Sequence, residues 1–321
     1  MIKLEGKGGI SATIIADSVS SVTGKRITTY ELEYPRFIHS EFMTHRLLSR
    51  NAASSRAIPI EKTVEQVSNN PAAPIYWGLN KPGMQSTEEH EDPEDCLSYW
   101  KDIADGVGEM CEFMSEDLGL HKQIINRINE PFQFMKVVCT ATEFENFFWL
   151  RSHEDAQPEI KELSDCMHEA REMSEPFTLS PGEWHTPYVG HMQGGSDELL
   201  YYIDDGHDGD IILSLEDALK VSASCCAQVS FRKSDTSLKK ALKIYETLVE
   251  STPVHASPFE HQATPMRGRD SLDYDGSSWD LLDGITHVKL DTDINNTCNV
   301  WSGNFCGFIQ HRQLIPNNAK W

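Results

Sequence analysis

Positive charge is scarce in this chain of 321 residues. Lysine and arginine together number 28 against 50 aspartates and glutamates, which leaves a formal charge of −22. Proteins that bind nucleic-acid polymers need a basic surface that follows the polymer backbone. The composition therefore argues against that class of partner, although a mononucleotide needs only a few cations in one place.

Other features are absent as well. No apolar run approaches the roughly 20 residues that span a membrane, and the N-terminal segment lacks the apolar stretch of a secretory signal. The eight cysteines are scattered without a Cys-x-x-Cys pair, so we expect reduced thiols, a cytoplasmic location and no metal site. The sequence has no repeat or heptad that would support a third class, an oligomeric structural protein. The 39% of hydrophobic residues still allow a real core, in one large domain or two small ones.

One stretch stands out against this acidic background. From His45 to Arg56 there is no acid, and three arginines, a histidine, three serines and an asparagine provide donors. Arginine forks match the geometry of phosphate, and small residues at 52–55 let a ligand approach the backbone. Pro59 ends the segment. The pattern favours a site for a specific anion over its alternative, a solvated helix surface.

Hydrophobic periodicity predicts several elements. Residues 27–34 alternate as a strand, and residues 97–118 and 237–250 have helical spacing. Thr142 is a candidate N-cap for a helix that begins with Glu143 and Glu145. The side chains expected on apolar helix faces are Ile103, Val107, Met110, Phe113 and Met114 in the first helix, Phe144, Phe147, Phe148 and Leu150 in the second, and Leu238, Leu242, Tyr245, Leu248 and Val249 in the third. Lys239 and Lys240 are expected on the polar face of the third helix.

Two regions look like loops. Residues 68–95 carry an acidic run and read as a solvated insert. Residues 176–215 are rich in turn residues, and the acidic stretch 204–210 lacks the spacing of a calcium loop, so we expect a turn. Trp184 is expected to be buried, with a lid over a site as the alternative.

The donor cluster resembles a known signature. The pattern His-Arg-x-x-Ser-x-Asn-x-x-Ser-x-Arg is similar to the core of the flavin-dependent thymidylate synthase motif, Arg-His-Arg-x-x-Ser-x-Asn-Glu-x-Ser-x-Arg-Tyr. The chain departs from that motif at Thr44, Ala52 and Ala57. Its matching residues are His45, Arg46, Ser49, Asn51, Ser54 and Arg56.

Further segments resemble the same family. The run that begins at Asn146 and contains Arg151 is similar to Asn-Phe-x-x-Leu-Arg-x-x-x-x-Ala-Gln-x-Glu-Ile, and Arg127 with Pro131 resembles an upstream Ala-Arg-x-x-Leu-Pro element. Val-Ser-Phe at 229–231, then a helix and Pro-Phe-Glu-His at 258–261, resembles the N-terminal part of the family. In the family that block comes first, whereas here it follows the signature.

The last segment offers an explanation for this order. Phe-x-x-His-Arg-x-Leu occurs at 308–314 and again at 42–48. The hypothesis is a circularly permuted or partly duplicated fold, because chain termini lie on the surface and often close together. The alternative is a chance echo, and residues 305–312 lying far from 37–46 would remove the idea.

The resemblance implies an α+β fold with an antiparallel sheet flanked by helices. It implies one catalytic domain over 1–321, in which 27–60 and 120–175 are the signature segments. Residues 60–120 and 176–215 would be additions, and 215–321 the rearranged N-terminal part.

The resemblance also implies an activity and a site. The activity would be reductive methylation of dUMP to dTMP with methylenetetrahydrofolate and NADPH, on bound FAD, in a homotetramer with shared sites and in a bacterial or phage-infected cytoplasm. Arg151 would be the catalytic cation that faces negative charge developing on the pyrimidine. The residues expected at FAD are His45, Arg46, Asn51, Asn146, Ser230 and His261, and those expected at the nucleotide are Glu41, Ser54, Ser55, Arg56, Arg127 and Arg151.

Two alternatives stay open. Glu41 stands where the family usually has Gln, and a carboxylate there could accept a hydrogen bond from the amine of cytosine. The substrate could then be dCMP, or the product hydroxymethylated. A chain that binds flavin or nucleotide as an inactive regulator is the other possibility.

Overall fold

The computed structural model describes residues 2–195, 198–204, 209–231, 235–267, 284–288 and 300–319. Its helices are α1 (His39–Phe42), α2 (Ile60–Asn69), α3 (Pro93–Glu116), α4 (Lys122–Ile125), α5 (Glu145–Arg151), α6 (Pro158–Met173), α7 (Leu215–Gln228) and α8 (Leu238–Glu250). Its strands are β1 (Ile2–Glu5), β2 (Ser11–Ser20), β3 (Arg26–Pro35), β4 (Ser49–Ala52), β5 (Phe134–Ala141), β6 (Phe177–Leu179), β7 (Gly190–Gln193), β8 (Leu199–Asp204), β9 (Asp210–Leu213), β10 (Ala263–Pro265), β11 (His287–Val288), β12 (Val300–Ser302), β13 (Phe305–Cys306) and β14 (Phe308–Gln310).

A six-stranded sheet forms the centre. Its order is β1-β2-β3-β5-β4, with every neighbour antiparallel, and β6 adds to β2 in parallel. The predicted strand at 27–34 is confirmed as β3. In the register of the sheet, Thr140 of β5 lies between Thr29 of β3 and Ser49 of β4. Mixed helices and antiparallel strands agree with the α+β class; the rearranged segment order remains a hypothesis.

The first face of the sheet is apolar. Alternate residues of β3 and β5, such as Tyr30, Leu32 and Val137, are fully buried there. They pack against α5 and α6, which contribute Phe147 and Leu163 to the same cluster. This face is the main hydrophobic core, as strand alternation requires.

The second face carries more polar side chains. Thr29, Thr140 and Ser49 lie next to one another on it, because they are paired across three neighbouring strands. Helix α7 covers Val138 of this face through Cys226. The small sheet of β10 and β14 covers the part near Ile27.

Helix α3 corrects one expectation. It packs on α2 through Val107 and Met114. However, Ile103, Met110 and Phe113 face away from α2 and are 57%, 54% and 51% exposed. The spacing correctly predicted the helix, but only part of its apolar side faces the core.

Helix α5 corrects two more. It begins at Glu145, its N-cap position is Phe144, and no side chain caps it. Thr142 instead accepts a hydrogen bond from the backbone N–H of Cys306 through Oγ1, so it is not the N-cap. Leu150 is 42% exposed, whereas Phe144, Phe147 and Phe148 are buried as predicted.

The loop predicted at 68–95 is confirmed in residues 70–92, which connect α2 and α3. The prediction of a loop at 176–215 is wrong, because this region contains β6 and the antiparallel sheet of β7, β8 and β9, and its turn residues separate short strands. Trp184 is buried at 8% exposure, as predicted. The turn expected at 204–210 lies partly outside the described residues. No helix among the described residues has the length and apolar character to cross a membrane.

The C-terminal segment reaches the central sheet near the signature. Asn304 and Gln310 both donate side-chain hydrogen bonds to Ser49 Oγ, at 3.3 and 3.2 Å. Ser49 lies three residues beyond the 37–46 segment. This neighbourhood leaves the permutation hypothesis open.

Candidate functional site

A large cleft opens beside the end of β4. Its volume is about 1050 Å³. The connection from β4 to α2 forms one wall, and the segment after α7 together with α8 forms the other. The lining residues are Asn51, Ser54, Arg56, Ala57, Ile58, Pro59, Lys62, Thr63, Gln66, Gln133, Ala227, Gln228, Ser230, Phe231, Lys240, Ile244, Thr247, Leu248, Ser251, His255, Ser257 and Pro258.

The charge of this cleft is opposite to that of the chain. Arg56, Lys62 and Lys240 line it, and no aspartate or glutamate is among the described lining residues. Lys240 pairs with Asp235 at 3.0 Å. Arg56 and Lys62 form no ion pair with the described part of the chain, so both remain available for an anion.

Backbone contacts hold the wall that carries Arg56. The N–H of Ser54 donates to the carbonyl of Ser230 at 3.1 Å, which joins the two segments across the cleft. The buried side chain of Asn126 donates to the carbonyls of Ser55 and Ile58, at 2.8 and 2.9 Å. The loop is therefore fixed by its backbone, and the Arg56 side chain is exposed.

Helix α2 begins at the same place. Pro59 is its N-cap residue, and Pro59, Lys62 and Thr63 all line the cleft. The first N–H groups of a helix lack intrahelical acceptors and carry partial positive charge. They add to the side-chain cations and favour an anionic group there.

A second cluster surrounds Arg151 at the end of α5. Its Nε donates to His45 Nε2 at 2.9 Å, and its guanidinium pairs with Glu41 and donates to Thr44 Oγ1 at 3.4 Å. Burial, together with Arg151 and Arg50, lowers the pKa of His45 to about 4. His45 is therefore neutral, and because its Nε2 accepts, its proton is on Nδ1.

The surroundings of this second cluster are acidic. Glu41 borders a hollow of about 990 Å³ that is also lined by Glu154, Asp155, Glu159 and Glu162. Lys7 and Lys161 are the basic side chains among its described lining residues. Glu41 thus neutralises the charge of Arg151. Of these two side chains, Glu41 and not Arg151 lines the hollow.

The remaining expected site residues lie apart from the cleft or engage other groups. Ser55 Oγ donates to Glu130 at 2.9 Å, and Glu130 also pairs with Arg36. Arg46, Arg127 and Asn146 are exposed, and none forms a side-chain hydrogen bond with the described residues. His261 is fully buried and contacts Thr140 at 2.9 Å.

The structure therefore divides the expected residues. Asn51, Ser54, Arg56 and Ser230 meet in the cleft, while Glu41, His45 and Arg151 meet at the other end of β4. Strand β4 has four residues, so about 10 Å separates its first and last Cα atoms at 3.3 Å per residue. No cluster of three or more metal-ligating side chains occurs within the described ranges.

Sequence reasoning missed several residues of the cleft. Lys240 was expected on the solvent face of α8 but lines the cleft, as do Lys62 and Gln228. Lys62 follows Arg56 by six residues, and the helix start at Pro59 was the available signal. For Lys240 no signal existed, because which helix face meets the cleft depends on how α8 packs.

Comparisons with known proteins complete the description. No family model and no curated protein matches the sequence. Among solved structures, the chain is similar to the UMP/dUMP methylase PolB from Streptomyces cacaoi bound with 5-Br dUMP, with 16% identity and a TM-score of 0.41 over 52% of this chain and 92% of that one. It is also similar to the flavin-dependent thymidylate synthase ThyX from Helicobacter pylori complexed with FAD and dUMP, with 12% identity and a TM-score of 0.33 over 45% of this chain and 67% of that one.

Proposed function

We propose that the cleft binds a phosphate-bearing nucleotide and that the chain is a flavin-dependent methylase, which converts dUMP to dTMP with methylenetetrahydrofolate and NADPH. One observation carries the proposal. Asn51, Ser54 and Arg56 belong to one signature-like segment and Ser230 to another, and all four line one cleft that holds cations and no described carboxylate. In a chain with a charge of −22, such a cleft selects a specific anion.

The lining residues fit FAD in chemistry and size. Ligand sites commonly enclose about 300–1,000 Å³, and this cleft reaches the upper end at about 1050 Å³. Arg56, Lys62 and the start of α2 suit a phosphate group. Phe231 and Leu248 offer apolar surface for a flat ring. When bound, FAD would supply the reducing chemistry, and the protein would supply position and charge.

Arg151 has a separate role in this proposal. A cation held beside the pyrimidine would stabilise negative charge that develops on the ring. Its pairing with Glu41 sets a condition, because the nucleotide must share the guanidinium with that carboxylate. The same carboxylate favours a second candidate, dCMP, whose exocyclic amine could donate to Glu41.

The two clusters can serve one reaction in either of two ways. One ligand could extend along β4, or Arg151 of one copy could complete the cleft of another in a homotetramer. We propose the second arrangement, because the hollow beside Arg151 is acidic and repels a phosphate on its own chain. Light scattering on the purified protein measures the number of copies.

Ligand binding is the first test. FAD and dUMP are titrated separately into the purified protein, with flavin fluorescence and isothermal calorimetry as readouts. Arg56→Ala removes a charged hydrogen-bond donor, which is worth about 1.5–3 kcal/mol, or roughly 10- to 150-fold in affinity. Lys101→Ala removes one charge from the exposed side of α3 and is the matched control. Equal affinities for the two variants would reject the cleft as the site.

Product formation is the second test. FAD, NADPH and methylenetetrahydrofolate are supplied with dUMP or dCMP in parallel. Arg151→Ala and Arg56→Ala should each lose turnover, and mixing the two variants should restore part of it if copies share sites. Bound FAD with no product from either base would indicate the regulatory alternative, and no restoration would reject the shared site.

A further inference from the structure

A continuous chain of buried hydrogen bonds crosses the polar face of the central sheet. Ser18 Oγ lies 2.9 Å from His185 Nδ1, and His185 Nε2 lies 2.7 Å from Thr29 Oγ1. Thr29 Oγ1 lies 2.7 Å from Thr140 Oγ1, which lies 2.9 Å from His261 Nδ1. All five side chains are 0% exposed. His261 Nε2 ends the chain without a partner among the described residues.

The protons in this chain can be counted. Burial lowers the pKa of His185 far below its ordinary value and that of His261 to about 3, so each ring is neutral and has one N–H. Each hydroxyl also has one proton to donate. Four contacts need four donated protons and the five groups hold five, so one group keeps its proton out of the chain. That group is not His185, because a neutral ring cannot accept at both nitrogens, but it can be His261, Ser18, or either threonine acting as a double acceptor.

These arrangements leave different groups unpaired. If every donor points toward His261, Ser18 donates to His185, and the N–H at His261 Nε2 is the one unpaired group among the five. In each of the other arrangements His261 Nε2 is an unpaired acceptor, and one hydroxyl proton also lacks an acceptor among the described residues. Two unpaired buried groups cost more than one. The direction toward His261 is therefore favoured over the opposite direction and over the mixed arrangements.

We propose that Ser18, His185, Thr29 and Thr140 are positioning residues that hold His261 with its proton on Nε2, as a hydrogen-bond donor to a carbonyl oxygen of a bound ligand. The ligand part rests on the proposed function. Its support is position: His261 directly follows the turn whose Ser257 and Pro258 line the cleft. A neutral N–H suits a neutral carbonyl, which both a flavin and a pyrimidine offer.

The tautomer can be measured without any activity. Protein labelled with ¹⁵N-histidine is studied by magic-angle-spinning NMR, and the His261 signal among the 13 histidines is assigned by its loss in His261→Gln. We expect a single tautomer protonated at Nε2. A ring protonated at Nδ1 in the unmodified protein would overturn the proposal.

Variants at a distance test the chain itself. Ser18→Ala removes the hydroxyl that makes the direction toward His261 more favourable than the opposite one. His261 should then change from one tautomer to a mixture, although three side chains lie between the two positions in the hydrogen-bonded chain. Ser20→Ala is the matched control, because Ser20 is a buried serine of the same strand. Within the described part of the chain, its hydroxyl accepts only from the backbone N–H groups of Val22 and Thr23. Thr140→Val should have the same effect as Ser18→Ala, and Thr140→Ser should restore the single tautomer. An unchanged spectrum in folded Ser18→Ala would refute the positioning role.

Ligand addition tests the last step. FAD and dUMP are added separately to the labelled protein, and the ligand whose carbonyl accepts from Nε2 should shift its ¹⁵N resonance. If FAD or dUMP binds, as calorimetry reports, but neither shifts the signal, the ligand part is wrong and a buried water is the partner. If neither ligand binds, the proposed function fails, while the tautomer result stands on its own.

Discussion

Mild acid should weaken this fold, and the buried histidines determine by how much. His45, His185, His261 and His311 are each at most 9% exposed. Burial lowers the pKa of His45 and His311 to about 4, that of His261 to about 3, and that of His185 further. In the unfolded chain each returns to its ordinary value of about 6.5.

The direction follows from where the protons bind. Between pH 6.5 and about 4 the unfolded chain binds protons that the folded chain excludes, so stability is complete above pH 6.5 and falls as the pH decreases. At pH 5.5 each buried histidine contributes a loss of about 1.4 kcal/mol. Four such groups give about 6 kcal/mol, which is comparable to the whole stability of a typical domain at about 5–15 kcal/mol.

Urea denaturation at a series of pH values measures this loss. The free energy of unfolding should decrease by several kcal/mol between pH 7.5 and 5.5. His311→Gln should reduce this decrease by the contribution of one histidine, about 1.4 kcal/mol at pH 5.5. The exposed His153→Gln variant controls for the loss of a histidine as such, so the difference between the two variants is the contribution of burial. A free energy that stays constant over this range would refute the reasoning.

Two further predictions concern side chains that contact an arginine. Asp17 has a side chain only 4% exposed and binds Arg26 through both oxygens, at 2.9 and 2.6 Å. Asp17→Asn should destabilise the fold by about 1–3 kcal/mol, measured by urea denaturation, because it removes the carboxylate from a partly buried cation. A loss below about 1 kcal/mol would show that Arg26 finds other partners. Arg151→Ala should raise the pKa of His45 above about 4 but not fully to 6.5, since burial is the larger cause and remains. An NMR titration of His45 checks this, and an unchanged pKa would contradict the contact between the two side chains.

Local patterns predicted β3, α3 and α8, but they did not predict the strands within 176–215 or the partners of several side chains. The alternation at 27–34 predicted β3, and the helical spacing at 237–250 predicted α8. Both predictions succeed because the hydrophobic period of an element depends on its own residues alone. The apolar spacing of α3 did not show that Ile103 and Phe113 face away from α2. Thr142 illustrates the same limit: its hydroxyl binds Cys306, which is 164 residues away, instead of capping the neighbouring helix.

The candidate site was predictable in part for the same reason. The stretch from Asn51 to Arg56 identified one wall of the cleft, because its donors are contiguous in an acidic chain. Lys240 lies in the opposite wall and reaches the cleft only through the packing of α8. The hydrogen-bonded chain from Ser18 to His261 draws residues from five separate segments, and no periodicity or spacing connects them.

The contrast between the two faces of the central sheet affects how uniquely the layers fit together. Contacts between aliphatic side chains are not directional, so hydrophobic substitutions of similar volume cost little stability there. Hydrogen bonds between Thr29, Thr140, Ser49 and the side chains above them are directional, and a slip of one residue would leave several of these groups unpaired at once. We therefore expect the segments around β10 and β14 to keep a single alignment on this face, while variation during evolution is easier to accommodate beneath α5 and α6.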